Sequence, residues 1–558
     1  MTNSDPTVGP LIVQGDNSIL LDVHNPQAEE ARSDLGLFAE LEKSPEHMHT
    51  YRITPLSLWN AASAGYTAHD ITERIRAWSR FSVPENVDYF ISDTISRFGK
   101  LILKPGSDSH TLELIITDPL IHAELQEYSR LKKYFTPTEK GFLIDLVNRG
   151  TIKSELIKLS YPVKDEAPLK EGAKLNFNLL PRTRDGYEFT VRGYQKEAAR
   201  AFYGNGNPGS GFGTIVLPCG SGKTIVGLKA MELAATYTLI LTPNTAAVHQ
   251  WINEIIDKTD IPRDQIGEYT GDKKEIRPVT IGTYQILTWR PDKEGEFPHF
   301  NIFRNHPWGF IVYDEVHLLP APIFRVTAEL QAIRRLGLTA TLIREDGRED
   351  EVFSLVGPKK YDVPWKELES KGWIAEAICH EIRVPLPKAD SIPYATSDKR
   401  GKYRIAAENS VKDTITLQLV QNHHEDHILV IGQYIKQLTK VAKALEAPLI
   451  TGKTPNKKRE EIYSAFRRGE EPVIVVSKVA NFAIDLPDAS VAIQISGTFG
   501  SRQEEAQRLG RILRPKENNS YFYTIVTQHT VEEQFAMNRQ KFLTEQGYKY
   551  HIEFWSEE

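Results

Sequence analysis

The sequence predicts an α/β protein with two doubly wound parallel-sheet lobes preceded by α+β accessory domains. First, from about residue 185 onward, short β-branched runs alternate with helical stretches, which is the pattern of parallel βαβ units. Second, these runs form two groups, at roughly 213–341 and 427–527. Third, amphipathic helical stretches and one short strand pair occupy the chain before residue 185. We therefore expect two similar lobes and a separate N-terminal part.

The length of 558 residues predicts several domains, because a single hydrophobic core stops growing beyond about 250–300 residues. A linker is expected at 161–189, where proline, glycine and charged residues replace periodic apolar positions. The predicted domains are an N-terminal accessory domain at 1–90, a second accessory domain at 91–175, a first lobe at 176–365 and a second lobe at 366–558.

Composition excludes several classes of protein. Hydrophobic residues make up 40% and charged residues 25% of the chain, and the mean hydropathy is −0.39. These values are typical of soluble globular proteins. No apolar run approaches the roughly 18–20 residues of a membrane span, and the N-terminus lacks the features of a signal peptide. We therefore expect a cytoplasmic protein without a membrane partner.

Cysteine content and net charge limit the kinds of site. Cys219 and Cys379 are too few for a disulfide framework, a zinc ribbon or a four-cysteine cluster. The net charge of −6 argues against a protein that coats nucleic acid through bulk electrostatics, since such proteins carry an excess of basic residues. Any contact with nucleic acid is therefore expected to be local.

A phosphate-binding loop is predicted in TIVLPCGSGKTIVG, which has the pattern of a strand, a glycine-rich turn and a helix start. Backbone N–H groups of such a turn bind anions together with the helix N-terminus. We expect Lys223 to contact the β- and γ-phosphates of ATP, and the Thr224 hydroxyl to bind Mg²⁺. The expected nucleotide-binding residues are Pro218, Cys219, Gly220, Ser221, Gly222, Lys223 and Thr224.

One position departs from the general phosphate-loop motif. That motif has glycine six residues before the lysine, where this chain has Leu217. The alternative interpretation is a glycine-rich connection in which Lys and Thr occur by chance. The motif described next disfavours this alternative.

Two adjacent carboxylates, Asp314 and Glu315, end the apolar run GFIVY. We expect Asp314 to hold Mg²⁺ through water, and Glu315 to orient or deprotonate the attacking water. The alternative is that these acids only cap the following helix. His317 is either a surface histidine or a residue that couples the nucleotide to the second lobe, and its place in the run D-E-x-H favours coupling.

The run SRQEEAQRLGRILRP supplies positive charge for the transition state of phosphoryl transfer. In a helix, Gln507, Arg511 and Arg514 recur at i, i+4 and i+7 and so share one face. An arginine finger accelerates such reactions by roughly 10³ to 10⁵, and these arginines reach the phosphate only when the lobes close on ATP. The alternative is a solvated basic stripe.

A second candidate for nucleotide binding precedes the first lobe, in VRGYQKEAARAF. There Arg192, Tyr194 and Gln195 place a cation, an aromatic ring and an amide where they can select adenine. The alternative is a helix cap with a core tyrosine.

The motifs GSGKT, DEVH, TAT and QRLGRILR, in this order and spacing, resemble those of superfamily-two helicases. The longer stretches LPCGSGKT, VYDEVH, TATLIREDGR, IDLPDASVAIQIS and GSRQEEAQRLGR resemble the XPB family of DNA repair helicases, in its prokaryotic form. The resemblance covers residues of about 185–530 strongly and the earlier chain weakly. It implies RecA-like lobes, ATP and Mg²⁺ as ligands, and 3′-to-5′ movement on DNA.

The resemblance also implies roles for particular residues. Arg344, Glu345 and Asp346 match the R-E-D motif, which the family links to strand opening. The residues implied to couple hydrolysis to movement are His317, Thr339, Thr341 and Asp485. A damage-recognition-like domain is implied at 91–175 and a thumb-like insertion near 385–410. One departure is Ala480, Asn481 and Phe482, where the family has Gly-Asp-Thr, and it predicts weaker unwinding.

DNA contacts are predicted at the carboxyl ends of strands, where ligands bind in open α/β sheets. The expected contact residues are Thr242, Thr283, Thr451 and Ser477. Each position alone is as readily explained by a helix cap, and the set of four favours a grip on one strand without sequence readout.

The combined prediction is an ATP-dependent DNA helicase or translocase that acts in DNA repair. Single-stranded DNA and duplex or fork DNA are the expected partners, a nuclease or a repair complex is a possible one, and a monomer is the expected functional unit. The alternatives are an ATP-gated clamp, a double-stranded DNA translocase that does not unwind, and an RNA helicase.

Overall fold

The computed structural model divides into two compact units. Met1–Leu217 and Gly222–Asp362 form the first unit, and Val363–Glu558 with Pro218–Ser221 form the second. The residues that the structure describes are 9–43, 47–108, 110–204, 210–218, 220–292, 297–320, 322–323, 326–327, 330, 333–340, 349–363, 365–373, 376–477, 489–497, 520–545 and 548–555.

The first accessory domain is a four-stranded antiparallel sheet with helices. Its strands are β1 (Leu11–Val13), β2 (Ser18–Asp22), β3 (Glu40–Lys43) and β4 (Met48–Arg52), in the order β1-β2-β4-β3. Its helices are α1 (Ala28–Phe38), α2 (Pro55–Ser63), α3 (Ala68–Trp78) and α4 (Glu85–Arg97). Thr54 and Thr67 begin α2 and α3 with capping boxes, which satisfy N–H groups of the first turn.

The second accessory domain contains a five-stranded mixed sheet. Its strands are β5 (Leu101–Pro105), β6 (Thr111–Ile116), β7 (Thr136–Pro137), β8 (Gly141–Asp145) and β9 (Val163–Asp165), in the order β7-β8-β6-β5-β9. Its helices are α5 (Pro119–Glu127), α6 (Ser129–Lys132) and α7 (Arg149–Lys158). Alternate residues of β6 are buried, as expected when one face of a sheet covers a core.

The first lobe has a seven-stranded parallel sheet. Its strands are β10 (Phe212–Val216), β11 (Thr238–Thr242), β12 (Ile266–Tyr269), β13 (Val279–Thr283), β14 (Phe310–Asp314), β15 (Arg334–Thr339) and β16 (Lys359–Asp362), in the order β12-β13-β11-β14-β15-β10-β16. Its helices are α8 (Gly193–Tyr203), α9 (Lys223–Ala234), α10 (Thr245–Lys258), α11 (Tyr284–Leu287), α12 (Asn301–Arg304) and α13 (Glu349–Leu355). The central strands are buried along their whole length, because helices cover both faces.

A buried charge cluster joins the second accessory domain to the first lobe. The Asp165 carboxylate accepts hydrogen bonds from Arg149 at 2.6 Å and from Lys153 at 2.8 Å. Lys153 and the buried Arg335 both lie over the ring of Phe212 at the start of β10. The two domains therefore pack through paired charges and one aromatic ring.

The second lobe repeats the seven-stranded parallel arrangement. Its strands are β17 (Ala377–Val384), β18 (Ile428–Gly432), β19 (Leu449–Ile450), β20 (Val473–Ser477), β21 (Val491–Gln494), β22 (Ser520–Thr527) and β23 (Tyr550–Phe554), in the order β19-β20-β18-β21-β22-β17-β23. Its helices are α14 (Trp365–Ser370), α15 (Ser391–Thr396), α16 (Lys399–Ala407), α17 (Ser410–Asn422), α18 (Ile435–Ala444), α19 (Asn456–Arg467) and α20 (Val531–Glu545).

The predicted fold class is confirmed, since two parallel-sheet lobes follow two α+β domains. The predicted domain borders stay predictions. The four sheets occupy 11–52, 101–165, 212–362 and 377–554, and the segment predicted as thumb-like contains α15 and α16. No helix in the described part of the chain has both the length and the apolar character of a membrane span.

Candidate active site

The predicted phosphate loop lies between the end of β10 and the start of α9 at Lys223. Gly220 and Gly222 have φ of +79° and +81°, a region that favours glycine. A Cβ added at Gly222 would lie 2.6 Å from Nε2 of Gln195, so a side chain there would have to displace that amide and would also be strained by the positive φ. Ser221 is buried, and its hydroxyl donates to the Pro218 carbonyl at 2.6 Å.

The structure brings Lys223 and Glu315 together. Nζ of Lys223 lies 3.5 Å from Oε1 of Glu315, and their side chains are 11% and 19% exposed. They meet because Lys223 follows β10 and Glu315 follows β14, and only β15 separates these parallel strands. Thr224, half-buried in the first turn of α9, is the next residue along the chain. An ammonium, a carboxylate and a hydroxyl thus stand near one end of the sheet.

Asp314 ends β14 and is held by two aromatic side chains. The indole N–H of Trp251 donates to Oδ2 of Asp314 at 2.9 Å, and the hydroxyl of Tyr284 donates to the Asp314 carbonyl at 2.7 Å. Burial, and then the negative charge of Glu315, raises the pKa of Asp314 above its ordinary value, against the effect of the Trp251 N–H. The carboxylate is therefore fixed in direction and favours a positive partner.

Glu315 adopts a left-handed backbone conformation, with φ +48° and ψ +55°. This region is unfavourable for residues other than glycine by about 1–2 kcal/mol, and such strain is concentrated at functional sites. Burial alone raises the pKa of Glu315, but the charges of Lys223 and His317 outweigh burial, so that its net pKa is lowered. Glu315 is therefore an ionised carboxylate at neutral pH.

His317 connects the acid pair to the end of β15. Its Nδ1 lies 2.7 Å from the hydroxyl of Thr339 and 3.5 Å from Oε2 of Glu315. The side chain of His317 is 2% exposed, so the alternative of a surface histidine is wrong. The structure therefore brings His317 and Thr339 of the predicted coupling set into direct contact.

The predicted adenine-selecting residues cluster at the start of α8. Oε1 of Gln195 accepts a hydrogen bond from the Arg192 backbone N–H at 2.9 Å, and the Arg192 guanidinium donates to the Tyr194 hydroxyl at 3.4 Å. Gln195 thus caps the helix and also contacts Gly222 of the phosphate loop. Both interpretations of this segment, as a cap and as a part of the nucleotide site, are compatible with this geometry.

The four predicted DNA-contact residues all lie at strand ends. Thr242, Thr283 and Ser477 end β11, β13 and β20, and Thr451 follows β19. The Thr242 hydroxyl donates to the Gly282 carbonyl, the Thr283 hydroxyl accepts from a backbone N–H of α11, and the Thr451 hydroxyl accepts from the Lys453 N–H. These threonine hydroxyls therefore support local backbone.

Several predicted site residues lie outside the described residues, and their roles stay predictions. They are Cys219, Thr341, Arg344, Glu345, Asp346, Asp485, Gln507, Arg511 and Arg514. The departure from the family motif at Ala480, Asn481 and Phe482 also lies outside the described residues.

The residues present fit a nucleotide with a divalent cation. Gly220 and Gly222 adopt positive φ directly before the start of α9, and backbone N–H groups at such a glycine-rich helix start bind anions. Asp314, Glu315 and the Thr224 hydroxyl are oxygen ligands of the kind that Mg²⁺ prefers. This donor set is compatible with the binding of a phosphoanhydride and its cation.

The sequence analysis missed Trp251 and Tyr284. Trp251 lies 63 residues before the aspartate that it contacts, and Tyr284 lies 30 residues before it. Neither residue belongs to a motif with a stated chemistry, so only the fold brings them to the site.

Comparisons with protein families match three parts of the chain. Residues 368–555 match the ERCC3/RAD25/XPB C-terminal helicase, and residues 188–344 match the res subunit of type III restriction enzymes. Residues 11–137 match a family described as helicase conserved C-terminal domain. Together the three matches cover the first accessory domain, part of the second, most of the first lobe and most of the second lobe.

Curated relatives match nearly the whole chain. A DNA 3′-5′ helicase XPB from Kineococcus radiotolerans is 48% identical, over 98% of this chain and 96% of its own length. A protein of the same name from Mycobacterium tuberculosis is 47% identical, over 98% of each chain. A general transcription and DNA repair factor IIH helicase/translocase subunit XPB from Enterocytozoon bieneusi is 33% identical, over 97% of this chain and 92% of its own length.

Proposed function

Because this chain belongs to the XPB family of superfamily-two DNA repair helicases, it is an ATP-dependent DNA helicase, and we propose that the site around Lys223 and Glu315 hydrolyses its ATP. The 3.5 Å approach of these two side chains carries the proposal. It places the cation for the phosphates beside the carboxylate that activates water. The two bacterial relatives are named 3′-5′ helicases, and we propose the same direction of movement for this chain.

ATP is the nucleotide that family membership implies, and Mg²⁺ is proposed as its cation. The phosphate-loop backbone and Lys223 bind the phosphates, while the Thr224 hydroxyl and the Asp314 carboxylate are proposed to hold the cation. A bound Mg²⁺ neutralises charge that develops on the phosphoryl oxygens. When Lys223 binds the phosphates, it gives up its contact with Glu315. The Glu315 carboxylate can then accept a proton from water.

Glu315 is proposed as the group that orients and deprotonates the attacking water. Its lowered pKa keeps it ionised, and Lys223 and His317 lie 3.5 Å from its two oxygens. His317 in turn bonds Thr339 at 2.7 Å, so a change at the carboxylate reaches the end of β15. Gln507, Arg511 and Arg514 remain proposed as the transition-state cations.

DNA is proposed to contact the strand ends at Thr242, Thr283, Thr451 and Ser477. The three threonine hydroxyls already bond backbone groups, so these residues are proposed to shape the strand ends rather than to read bases. Backbone contacts of this kind fit a chain with a net charge of −6. Single-stranded and fork DNA are the proposed substrates, the monomer is the proposed functional unit, and a nuclease or repair complex is a proposed partner.

The test is ATP hydrolysis with single-stranded DNA, duplex DNA or RNA, on the wild type beside Glu315→Gln. We expect DNA to stimulate hydrolysis and the variant to lose about 10²-fold or more of the stimulated rate, since a positioned general base contributes roughly 10²–10⁴. Glu232→Gln is the matched control, because Glu232 lies on α9 and pairs with Lys229 away from the acid pair. An unwinding assay on a duplex with a 3′ overhang then follows.

The outcomes separate the alternatives. Stimulation by RNA alone contradicts the DNA substrate, and hydrolysis without strand separation indicates a double-stranded DNA translocase. Absence of hydrolysis with every polymer indicates an ATP-gated clamp. Full activity of Glu315→Gln removes that residue from the mechanism.

A further inference from the structure

Trp251 and Tyr284 converge on one residue from two helices. Trp251 lies on α10 and is 1% exposed, and Tyr284 begins α11 and is 3% exposed. Trp251 donates to the carboxylate of Asp314 at 2.9 Å, and Tyr284 donates to its carbonyl at 2.7 Å. One donor fixes the direction of the side chain and the other fixes the backbone that carries it.

The helices that carry these donors start at the strand ends proposed to contact DNA. β13, β11 and β14 are neighbours in the sheet, and Thr242 pairs with Thr283 in the register of β11 and β13. Asn244 caps α10 two residues after Thr242, and Thr283 itself caps α11. Each helix is therefore connected at its start to a strand end and donates one hydrogen bond to Asp314.

The indole of Trp251 has little freedom to move away. A Cβ added at Gly227, on the phosphate-loop helix α9, would lie 2.5 Å from Cη2 of Trp251. The ring thus occupies the space that this glycine leaves open. The indole therefore packs against α9 at one edge and donates to Asp314 at the other.

We propose that Trp251 and Tyr284 are positioning residues that hold Asp314 for the divalent cation and link it to the DNA-contact strand ends. The inference rests on the proposed function, because Asp314 is a cation ligand only there. Residues that orient a metal ligand through hydrogen bonds typically contribute 10–100-fold to metal affinity or activity. DNA that shifts the start of α10 or α11 then alters how well Asp314 binds the cation.

The first experiment measures cation binding directly. Mn²⁺ is titrated into each protein with a non-hydrolysable ATP analogue, and free Mn²⁺ is followed by electron paramagnetic resonance. We expect Trp251→Phe to weaken Mn²⁺ binding by about 10-fold and Tyr284→Phe to weaken it less, since the latter loses a bond to backbone rather than to the ligand itself. In both variants, excess Mg²⁺ restores much of the hydrolysis rate.

Two matched variants separate positioning from packing. Trp308→Phe removes a buried indole N–H that donates to the Ile302 carbonyl at 2.7 Å. Tyr269→Phe removes the hydroxyl of a buried tyrosine on β12, which lies 2.8 Å from Nδ1 of His299. Both lose a comparable hydrogen bond in the same lobe without contacting Asp314, so we expect their Mn²⁺ affinity to equal that of the wild type.

The second experiment measures the stimulation of hydrolysis by single-stranded DNA, at saturating DNA, in the same five proteins. We expect the ratio of stimulated to basal rate to fall in Trp251→Phe and Tyr284→Phe and to stay constant in the controls. Wild-type Mn²⁺ affinity in Trp251→Phe overturns the positioning role. Weakened Mn²⁺ binding with unchanged stimulation overturns the link to DNA. A wild type without DNA-stimulated hydrolysis contradicts the proposed function itself.

Discussion

Each lobe contains a buried or partly buried lysine paired with a glutamate, and the two pairs differ in the separation of their charges and in their exposure to solvent. In the first lobe, Lys223 and Glu315 stay 3.5 Å apart, and both are partly exposed. In the second lobe, Nζ of Lys412 lies 2.7 Å and 2.6 Å from the two oxygens of Glu532, and both side chains are 0% exposed. The first pair is open to a ligand and the second is sealed.

The surroundings of the pairs explain the difference. Lys412 also donates to the Ile495 carbonyl at 3.1 Å, and Glu532 accepts from the Thr527 backbone N–H at 2.9 Å. The pair thus joins α17, β22 and α20, and its hydrogen bonds are made within the protein rather than to a ligand. Within the described residues, Oε2 of Glu315 is buried and accepts no hydrogen bond. This oxygen can therefore accept a hydrogen bond from a ligand or from water, as expected of a charge pair that exchanges partners.

The largest expected effect comes from removing the lysine of each pair. Lys412→Met leaves the Glu532 carboxylate buried without its cation, which costs about 3–5 kcal/mol. Lys223→Met leaves Glu315 partly exposed and beside His317, so we expect a loss of stability below about 1 kcal/mol, as for ion pairs that water can reach. Hydrogen exchange of peptides from β21–β22 and from β14–β15, measured by mass spectrometry, reports the two lobes separately.

For catalysis we expect the reverse: Lys223→Met has the larger effect on ATP hydrolysis, and Lys412→Met has the smaller one. Lys223→Met is expected to abolish DNA-stimulated hydrolysis, whereas Lys412→Met is expected to hydrolyse ATP at temperatures where it stays folded. Equal losses of protection in the two lobes would contradict the distinction between an open and a sealed pair.

Parallel strands were predictable from the sequence because their signal is local. Runs such as TLILT and VTIGT are rich in aliphatic and β-branched residues and carry no charge, and the strands they form are buried on both faces. The antiparallel sheet of β1–β4 was not predicted. Its strands have three to five residues each and mixed polarity, so they lack the strong local signal of the lobe strands, and the pairing of β2 with β4 joins residues distant in sequence.

The residues of the candidate site also fall into two groups: those that a local motif predicts and those that only the fold brings together. Lys223, Asp314 and Glu315 stand in short motifs whose chemistry is legible from residue type and spacing, and the structure brings them together. Trp251 has no such motif, and only the parallel pairing of β11 with β14 brings α10 to the acid pair. A donor that acts across the sheet is invisible to any local pattern.

A smaller effect is expected when both charges of the sealed pair are removed. Lys412→Met with Glu532→Leu replaces the pair by apolar side chains of similar volume, a change that is often neutral or stabilising. The Ile495 carbonyl and the Thr527 N–H lose a partner, at about 1–3 kcal/mol for each unsatisfied group. Because the double variant no longer buries an unpaired charge but leaves these two groups unsatisfied, we expect it to recover part of the stability that Lys412→Met loses, by the same exchange measurement. A double variant no more stable than the single one would mean that the ion pair itself is not the source of the loss.

The smallest expected effect tests whether the open pair rests on a rigid support. Gly227→Ala adds a Cβ that lies 2.5 Å from Cη2 of Trp251 and 3.3 Å from Cδ1 of Leu338. Overpacking costs about 1–3 kcal/mol, and the better helix propensity of alanine returns up to about 1 kcal/mol. We expect a net loss of about 1 kcal/mol, measured by hydrogen exchange of α9 peptides.

Gly36→Ala is the matched control, because Gly36 lies within α1 with no atom within 4 Å of an added Cβ. There only the helix propensity acts, so we expect a gain of about 0.5–1 kcal/mol. Stability changes of opposite sign for the two substitutions indicate that the Trp251 indole cannot shift to accommodate the added Cβ. The Lys223–Glu315 pair then lies on a rigid support. An equal gain in stability for Gly227→Ala and Gly36→Ala would mean that the indole moves at little energetic cost. The Lys223–Glu315 pair would then have no rigid support.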